Sequence, residues 1–428
     1  MCSLDLEETA NRLGIEYFLV SYAPLNTDVR CSLIPKRAIR EVQKNGCGMP
    51  PAMFFKSTPV EPEMIIKPDP KSLIQLPWKS KFAWLSSDLY MYGKPFDQCP
   101  RACLKRQVEL AKSMGFSMKS GVEPEFTLLT KDGKEFADKI DMQQPMSLQD
   151  PLAIMRHSKF LTDLSDSMEK IGWNPYEIDH ESSCCQYEIN FDYVDCLETA
   201  DRFMFMKFMI KELAEIHGIK ASFMPVPIPR ILCANGLHVN VSLWNNSTHT
   251  NAFEDDSDEL GLSQIAYNFI GGLMKHVEDT CAICCPTVNS YKRLNRGVWC
   301  PNVISWGGNN RTVLFRIPAS NRVEHRLPDA TANPYLMQAA ILASGLDGII
   351  NKIHPGPKAD FDVQMQSEQF KKVPKNLEKA LDKLESSTFL KDSLGEPIID
   401  GFIHLKRKEW NLFHSEITPW EIDYYSNA

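Results

Sequence analysis

Ionisable side chains inside strand-like apolar stretches most constrain how this chain can fold. An ionised carboxylate is costly to bury unless a group of opposite charge meets it. Where apolar and polar residues alternate, as in LHVNVSL, a strand has one buried face and one polar face. The fold must therefore direct the polar faces of several strands toward a cationic partner. The side chains concerned are Glu123, Glu125, Glu181, Glu188, His238 and Glu324.

The two-residue period of a strand indicates which groups share a face. Glu123 and Glu125 in VEPEF would lie on one face, about 6.6 Å apart along the strand. In LHVNVSL, His238 would point to the same side as Asn240 and Ser242. Any one of these strands alone is more simply interpreted as having a solvent-exposed face. The whole set, placed beside apolar neighbours, favours a shared site.

The ligand types predict the kind of metal ion. Carboxylate oxygens with one imidazole and no thiolate favour Mg²⁺ or Mn²⁺ over structural zinc. Arginines nearby in the sequence offer forked donors for phosphate or carboxylate oxygens, although a single arginine is more often a surface ion-pair partner. No G-x-x-x-x-G-K-[ST] phosphate loop occurs, so nucleotide binding would depend on the metal ions and these arginines. They are Arg293, Arg311, Arg316 and Arg326.

The composition excludes several classes of partner. With 428 residues and 43% hydrophobic content, the chain is long enough for two domains and a large core. Its net charge of -8 gives no general attraction to nucleic acid or to anionic membranes. No apolar segment approaches the roughly 20 residues of a membrane span, and the N-terminus lacks a signal-peptide pattern. We expect a cytoplasmic protein with no nucleic-acid or membrane partner.

The cysteines point to a reducing compartment. Their odd number, thirteen, fits free thiols better than a set of disulfides. Cys281-x-x-Cys284 invites a zinc interpretation, but no second pair with zinc-finger spacing exists and the segment ends an apolar helix. We expect these thiols to be buried as small apolar groups.

The order of the predicted elements indicates an α+β protein with two domains. A short helix over 4–13 and strands in IEYFLVSYA and VRCSLIP predict a small sheet domain over residues 1–102. Residues 103–428 are predicted to form one large domain in which helices and strands alternate. The predicted helices cover 151–171, 195–217, 260–283, 334–351 and 374–386, and the predicted strands are FTLLT, CQYEINF, HVNVSLW, VLFRIP and RVEHRL.

A series of motifs resembles the glutamine synthetase superfamily. They occur in order between Glu123 and Gly356: EPEF, QYEINF, NGLHVNVSL, PTVNSYKRL, NNRTVLFRIP and RVEHRLPDATANPYL. Within the superfamily, YEIDHE, DCLETAD and WGGNNR most resemble the glutamate-methylamine ligases and related class III-like enzymes. The N-terminal region matches only loosely. The resemblance implies a small β-grasp-like sheet domain and a catalytic domain whose curved antiparallel sheet is flanked by helices.

The same resemblance implies two or three Mg²⁺ or Mn²⁺ ions. One ion would be held by Glu125, Glu181 and Glu188. A second would be held by Glu123, His238 and Glu324.

The resemblance also implies where substrates bind. Arg293 and Arg326 would hold the carboxylates of glutamate, and the backbone of Asn235-Gly236 would lie at its amino end. A further group would serve ATP, with Arg311 also acting in catalysis and Asn240 standing where a histidine is common on the nucleotide side. This ATP group is Arg311, Arg316 and Ser242.

The implied reaction is an ATP-dependent ligation. ATP would phosphorylate the γ-carboxylate of L-glutamate, and a small amine would then displace phosphate from the γ-glutamyl phosphate. Metal ions and arginines would stabilise the moving phosphoryl group, and a flap would exclude water. The resemblance further implies a homo-oligomer of stacked rings, commonly a dodecamer, with active sites between subunits.

The flap is where the sequence departs from ammonia-using relatives. They carry a motif like VPGYEAP after YKRL, whose glutamate helps to bind ammonium, whereas this chain has NRGVWCP with Trp299 at that place. The FDGSS motif, whose aspartate completes the ammonium site, has no counterpart in GCGMPPAMFF. An indole attracts a small alkylammonium ion by cation-π contact worth about 0.5 to 2 kcal/mol and offers apolar contact to a methyl group. We therefore expect methylamine as the preferred amine and Trp299 to act in catalysis.

Other functions are consistent with parts of the sequence. Ammonia is the alternative nucleophile, which would make the protein a glutamine synthetase with a substituted flap and Trp299 a plain hydrophobic lid residue. A kinase without ligation would use the same metal ions and arginines but would not need all six ligands. A non-catalytic scaffold on the same fold would need none of them.

Overall fold

The computed structural model describes residues 4–26, 29–54, 56–58, 60–141, 148–229, 231, 233–296, 299–319 and 321–426. The helices are α1 (Leu6–Leu13), α2 (Lys36–Asn45), α3 (Pro100–Ser113), α4 (Pro151–Arg156), α5 (Ser158–Lys170), α6 (Cys196–Ile216), α7 (Gln264–Cys284), α8 (Val288–Leu294), α9 (Pro334–Ile350), α10 (Leu377–Ser386), α11 (Thr388–Leu394), α12 (Glu396–Ser415) and α13 (Pro419–Tyr425). The strands are β1 (Tyr17–Tyr22), β2 (Arg30–Pro35), β3 (Cys47–Met49), β4 (Met64–Pro68), β5 (Ile74–Gln75), β6 (Phe82–Met91), β7 (Lys94–Pro95), β8 (Phe116–Thr130), β9 (Pro175–His180), β10 (Gln186–Phe191), β11 (Val194–Asp195), β12 (Ile219–Ser222), β13 (Leu237–Asn245), β14 (Trp306–Gly307), β15 (Phe315–Arg316) and β16 (Val323–His325).

The N-terminal sheet has the strand order β2-β1-β6-β4-β3, and β5 and β7 also pair with β6. β1 runs antiparallel to β2 and parallel to β6. The preceding helix, α1, begins where the Asp5 side chain accepts the backbone N–H groups of Glu7 and Glu8, and it ends at Gly14 with a φ of 72°. The apolar face of this sheet has its own core, in which Leu6, Phe18 and Ile39 are fully buried.

The large sheet has the order β14-β15-β16-β13-β8-β10-β9, with β11 and β12 paired to β8. Its ladders are antiparallel except for the parallel pair β14 and β15. Alternation decides what it buries: Leu237, Val239 and Leu243 on β13 are fully buried, whereas His238 and Asn240 between them are only partly covered. α7 and α9 lie deep in the same core. The expected α+β class, with helices flanking an essentially antiparallel sheet, is confirmed.

Most predicted elements are present, with shifted ends. The helix expected over 151–171 is divided at His157 into α4 and α5. The proline-rich segment after residue 59 contains strand β4, which tolerates Pro68 because it is the last residue of the strand. The buried cysteines at the end of α7 confirm the apolar interpretation of Cys281 and Cys284.

Helix α3 links the two cores. Ala102 packs into the N-terminal core, whereas Cys103 and Leu104 pack into the large one. A domain boundary at residue 102 would cut within this helix, and the division into 1–102 and 103–428 remains our proposal. In the described part of the chain, no helix is long and apolar enough to cross a membrane.

Candidate active site

Strand register brings the predicted side chains together. Glu125 on β8 lies opposite Glu188 on β10. Two residues earlier on β8, Glu123 lies opposite His238 on β13. The next strand places Glu324 opposite Asn240. Because side chains on neighbouring strands at paired positions point the same way, these groups share one face of the sheet.

The first cluster in this site is close enough to hold one metal ion. His238 Nδ1 lies 3.3 Å from Glu123 Oε2 and 3.5 Å from Glu324 Oε1. Ligand atoms of Glu123, Glu188 and His238 all lie within 4.8 Å of one another. This grouping takes Glu188 from the first implied ligand set and Glu123 and His238 from the second, so Glu188 lies where the two sets meet.

Glu181 follows β9 and lies in the turn before β10. Its backbone N–H donates to the carbonyl oxygen of Gln186 at 2.8 Å. Burial, together with the carboxylates of Glu125 and Asp179, raises the pKa of Glu181 to about 7. The side chain is therefore held beside other negative groups.

The carboxylates carry opposite pKa shifts. Burial and the neighbouring charges of Glu123 and Glu125 raise the pKa of Glu188 well above its usual value. Burial would also raise the pKa of Glu123, but hydrogen bonding and charge interaction with His238 and a hydrogen bond from Asn240 outweigh it and lower that pKa to about 2. The cluster thus holds more negative charge than its donors offset. Oxygen ligands with one imidazole fit Mg²⁺ or Mn²⁺.

Glu125 is fixed by donors from two other segments. Gln186 Nε2 donates to Glu125 Oε2 at 2.6 Å, and the Gly236 N–H donates to the same oxygen at 3.0 Å. A Cβ at Gly236 would lie 3.0 Å from Arg293 Nη2 and 3.1 Å from Glu125 Oε1, so a side chain would crowd both groups. The Asn235 amide donates to Thr127 Oγ1 at 3.0 Å, and the Asn235 backbone N–H donates to the carbonyl oxygen of Pro225 at 2.8 Å.

Three of the four predicted arginines surround the carboxylates. Arg316 Nη1 donates to Glu324 Oε2 at 2.9 Å, and Arg326 Nη1 donates to Glu324 Oε1 at 2.6 Å. Arg293 is buried and donates to the carbonyl oxygens of Leu327 and Arg326. Arg326 Nε is buried and finds no hydrogen-bond acceptor among the described residues. Such a donor is costly unless a ligand meets it.

The fourth arginine and the tryptophan are more open. Arg311 is exposed, and its positive charge acts on the pKa of Glu181. Trp299 is 53% exposed and has a left-handed backbone with a φ of 55°. Its carbonyl oxygen accepts a bond from Arg326 Nη2 at 3.4 Å. The preceding Gly297 and Val298 of the predicted flap lie outside the described residues.

A cavity of about 380 Å³ adjoins the carboxylates. Ser242 lines it and accepts a hydrogen bond from Trp244 Nε1 at 3.1 Å. Lys119 Nζ lies 3.9 Å from the centre of the Trp244 ring. Arg322, which the strand period places on the same face as Glu324, also lines the cavity. Three other residues of this wall were not predicted, although the period offered a signal for two of them: Lys119 stands four residues before Glu123, and Trp244 stands six after His238. The three residues are Lys119, Tyr176 and Trp244.

The hydrogen bonds that hold the proposed site residues in place were not predicted either. Asn190 Nδ2 donates to Glu188 Oε1 at 3.1 Å, and Asn240 Nδ2 donates to Glu123 Oε1 at 2.7 Å. Asn309 Oδ1 accepts from Arg316 Nε at 2.9 Å. Asn190 again lies two residues from its partner, whereas the contact of Asn309 depends on a loop that the strand period does not describe.

The sequence matches the family of the glutamine synthetase catalytic domain over residues 97–425. This chain belongs to the glutamine synthetase family. A glutamine synthetase of Rhizobium meliloti (strain 1021) is 41% identical over 429 residues, which cover 98% of each chain. A glutamate–methylamine ligase of Methyloversatilis universalis is 36% identical over 431 residues, which cover 96% of each chain.

Solved structures agree with this membership. A structure of apo GmaS without ligand is 42% identical, covers 99% of this chain and 100% of its own, and superposes with a TM-score of 0.95. A GmaS/ADP complex gives the same values. Relatives named glutamine synthetase and glutamate–methylamine ligase thus both resemble this chain. Overall identity does not separate the two amines, and the distinction must come from the site.

Proposed function

We propose that this protein is an ATP-dependent ligase that joins the γ-carboxylate of L-glutamate to a small amine, with methylamine preferred. Family membership and the similarity to GmaS, including its ADP complex, support the reaction class. The observation that carries the proposal is the shared face on which Glu123, Glu188 and His238 converge beside the buried, unmatched Nε of Arg326. The carboxylate cluster could bind metal ions, and the arginine beside it could bind an anionic substrate. Phosphoryl transfer to a carboxylate requires both kinds of group close together.

The proposed metal ligands are the six groups named from the sequence. Two or three Mg²⁺ or Mn²⁺ ions bound there would neutralise charge on the transferring phosphoryl group. Glu125 is held for this role by Gln186 and Gly236, and Glu123 by Asn240. The ligands are Glu123, Glu125, Glu181, Glu188, His238 and Glu324.

The arginines bind and orient the substrates in this proposal. Arg293 and Arg326 hold the carboxylates of glutamate, and the backbone of Asn235 and Gly236 lies at its amino group. The γ-carboxylate oxygen attacks the γ-phosphorus of ATP and ADP leaves. The bound alkylammonium ion first gives a proton to solvent. The neutral amine nitrogen then attacks the acyl carbon, the C–N bond forms, the C–O bond to phosphate breaks, and the nitrogen gives its second proton to the departing phosphate or to solvent.

ATP would lie along the remaining part of the site. Arg316, held by Glu324 and Asn309, and the exposed Arg311 face its phosphates, where Arg311 stabilises the charge that develops in transfer. Ser242 lies in the wall of the adjoining cavity, which we assign to the nucleoside.

The preference for methylamine rests on Trp299. Its indole is exposed, and no carboxylate occupies its place in the flap. An indole face attracts a methylammonium ion and packs against its methyl group, whereas ammonium gains only the charge interaction. Ammonia remains the second candidate, since relatives named glutamine synthetase are also similar to this chain.

We further propose a cytoplasmic homo-oligomer of stacked rings, a dodecamer, with active sites between subunits. The open position of Trp299 and the exposed Trp420 and Tyr424 of α13 are consistent with contacts to neighbouring subunits. The described cysteines are free thiols, as expected in a reducing compartment.

The test is a comparison of amines under identical conditions. Phosphate release from ATP is measured with Mg²⁺ and L-glutamate in the presence of methylamine, ethylamine, ammonium or no amine, and the γ-glutamyl product is identified by mass. A kcat/KM for methylamine at least about 10-fold above that for ammonium supports the proposal. A preference for ammonium makes the protein a glutamine synthetase. No turnover with any amine overturns the ligase and favours a scaffold, and Glu188→Gln is the inactive control.

A further inference from the structure

The turn between Glu181 and Glu188 carries two adjacent cysteines that the proposed reaction does not use. It is closed by the Gln186 N–H, which donates to the carbonyl oxygen of Ser183 at 3.0 Å. Cys184 and Cys185 occupy its two central positions, and Cys185 has a left-handed backbone with a φ of 54°. Cysteine rarely adopts this conformation without compensating contacts.

Both thiols lie close to other side chains of the types that bind metal ions. Ligand atoms of Asp141, Cys184 and Cys185 all lie within 4.8 Å of one another. His157, at the break between α4 and α5, places Nε2 4.0 Å from Cys185 Sγ. Apart from the carboxylate site, this is the only such group of three in the described ranges of the chain.

The spacing of the two sulfur atoms fits a tetrahedral metal ion. Cys184 Sγ and Cys185 Sγ are 3.8 Å apart. Two thiolates bound at about 2.3 Å to one tetrahedral zinc ion lie about 3.8 Å from each other. The sulfur atoms would therefore need little movement to share an ion.

The surroundings favour the thiolate that such an ion requires. The backbone N–H of Asp138 donates to Cys185 Sγ at 3.3 Å. A hydrogen bond from Cys184, together with the neighbouring His157, outweighs burial and lowers the pKa of Cys185 to about 6. The same contact with Cys185, and burial, raise the pKa of Cys184. One thiol is thus prepared for coordination, and the other would lose its proton to solvent when the ion binds.

The carboxylate of Asp141 is held in place by two hydrogen-bonding partners. Asp141 Oδ2 accepts the Cys185 N–H at 2.5 Å and lies 3.0 Å from His180 Nε2. Hydrogen bonds of this kind orient metal ligands in known sites. Cys184 and His157 are only half-buried, so an ion has a route to the cluster from solvent.

We propose that Asp141, His157, Cys184 and Cys185 form a second metal site, which takes a borderline-soft divalent ion of the zinc type. Two thiolates and a carboxylate already lie close enough to share one ion, and the His157 imidazole, 4.0 Å from Cys185 Sγ, would move toward the ion to complete a four-coordinate shell. The site is chemically distinct from the carboxylate cluster, because thiolates select zinc and cobalt whereas oxygen ligands suit Mg²⁺. The ion would fasten the turn whose Gln186 contacts both Glu181 and Glu125.

Co²⁺ absorption distinguishes the proposed thiolate site from the carboxylate cluster. The full-length protein is stripped with a chelator under reducing conditions, supplied with excess Mg²⁺ to fill the carboxylate cluster, and titrated with Co²⁺. One equivalent of Co²⁺ is expected to produce thiolate-to-cobalt charge-transfer absorption and intense tetrahedral bands, with release of protons. Oxygen-ligated Co²⁺ gives no sulfur band. The readout does not use activity, so its result is independent of the proposed ligase.

Matched variants test which thiols are responsible. The double variant Cys184→Ser/Cys185→Ser is expected to lose the sulfur band, and the exposed Cys31→Ser to keep it. His180→Gln, which loosens Asp141, is expected to weaken Co²⁺ binding roughly 10- to 100-fold while keeping the band. Circular dichroism establishes that each variant is folded, and metal analysis of protein purified with added Zn²⁺ gives a second measurement on the unaltered chain. Absence of a sulfur band together with absence of bound Zn²⁺, or a band that survives in the double variant, overturns the proposal.

Discussion

Glu188 lies directly opposite Glu125 across the ladder between β10 and β8, and each residue is only 8% exposed. Carboxylates so placed repel each other in the absence of a cation. This repulsion destabilises the metal-free sheet, and a bound metal ion would remove it. Stability and metal binding are coupled at this point of the fold.

The first prediction concerns the pH dependence of the metal-free protein. The pKa of Glu181 is raised from 4.5 to about 7, and that of Glu188 is also raised. A raised folded-state pKa contributes stability that is complete below 4.5 and is lost as the pH rises through the folded-state value. Thermal unfolding with chelator should therefore show this contribution falling between about pH 5 and pH 8.

The controls for this prediction remove the charges or offset them. Glu181→Gln/Glu188→Gln should flatten the curve over the same interval. Mg²⁺ should stabilise the unaltered protein more at about pH 8 than at about pH 6, because the carboxylates are then ionised. An equal effect of Mg²⁺ at both values would contradict the placement of the ion at these residues.

The second prediction concerns the amine. Trp299→Ala should lower the ratio of kcat/KM for methylamine to that for ammonium by about 4-fold, the equivalent of ~0.8 kcal/mol for the apolar contact of one methyl group, because both cations share the cation-π contact. Trp299→Phe keeps an aromatic face and should lose less. The ratio is measured on a single preparation, so differences in the active fraction cancel. An unchanged ratio in Trp299→Ala would show that the indole is only a lid.

A close approach of the backbone gives the third prediction. Gly236→Ala should raise the KM for glutamate by about tenfold or more, because its Cβ would displace Arg293 or Glu125 at a cost of roughly 1 to 3 kcal/mol. Gly308→Ala is the matched control, since its Cβ would meet only a Leu260 methyl group at 3.4 Å. Steady-state kinetics at saturating ATP distinguish the two. Equal effects would argue against a special position for Gly236.

The fourth prediction tests how the N-terminal sheet is held to the large domain. The buried Arg101 forms ion pairs with Asp69, Asp88 and Asp201 at 2.8 to 2.9 Å. Burial would raise the pKa of Asp69, but Arg101 outweighs it and lowers that value. Arg101→Met would leave Asp201 without a cation, and Asp69 and Asp88 with only the partly exposed Lys105, and should destabilise the fold by about 3 to 5 kcal/mol.

Urea denaturation measures this change. The exposed pair of Lys112 and Glu109 provides the comparison, and Lys112→Gln should cost no more than about 1 kcal/mol. A similarly small effect of Arg101→Met would mean that the ion pairs contribute little to joining the two parts of the chain.

The polar faces of the large sheet could be predicted because a strand alternates strictly. The two-residue period puts Glu123 with Glu125, and His238 with Asn240, whatever the rest of the fold does. The same rule, extended along β8 and β13, would have reached Lys119 and Trp244 in the wall of the cavity. When two residues lie on the same strand, the local geometry is therefore sufficient to predict whether they share a face of the sheet.

Contacts between distant segments could not be predicted from the strand period. The hydrogen bond from Gln186 to Glu125 depends on which strands are neighbours, and that from Arg316 to Asn309 depends on how a loop folds back. The parallel pairing of β1 with β6 likewise requires a crossover whose path the strand period does not describe. The adjacent cysteines were visible in the sequence, but their proximity to His157 and Asp141 was not.

Arg326 holds Glu324 with one nitrogen and the carbonyl oxygen of Trp299 with another. The proposed metal cluster and the proposed amine-binding segment therefore share one guanidinium group. Thermodynamic linkage makes any such coupling reciprocal: the factor by which a bound cation changes the affinity for the amine is the factor by which the amine changes the affinity for the cation. If the proposed sites are correct, a single side chain would make the affinity for the amine depend on whether the metal ions are bound.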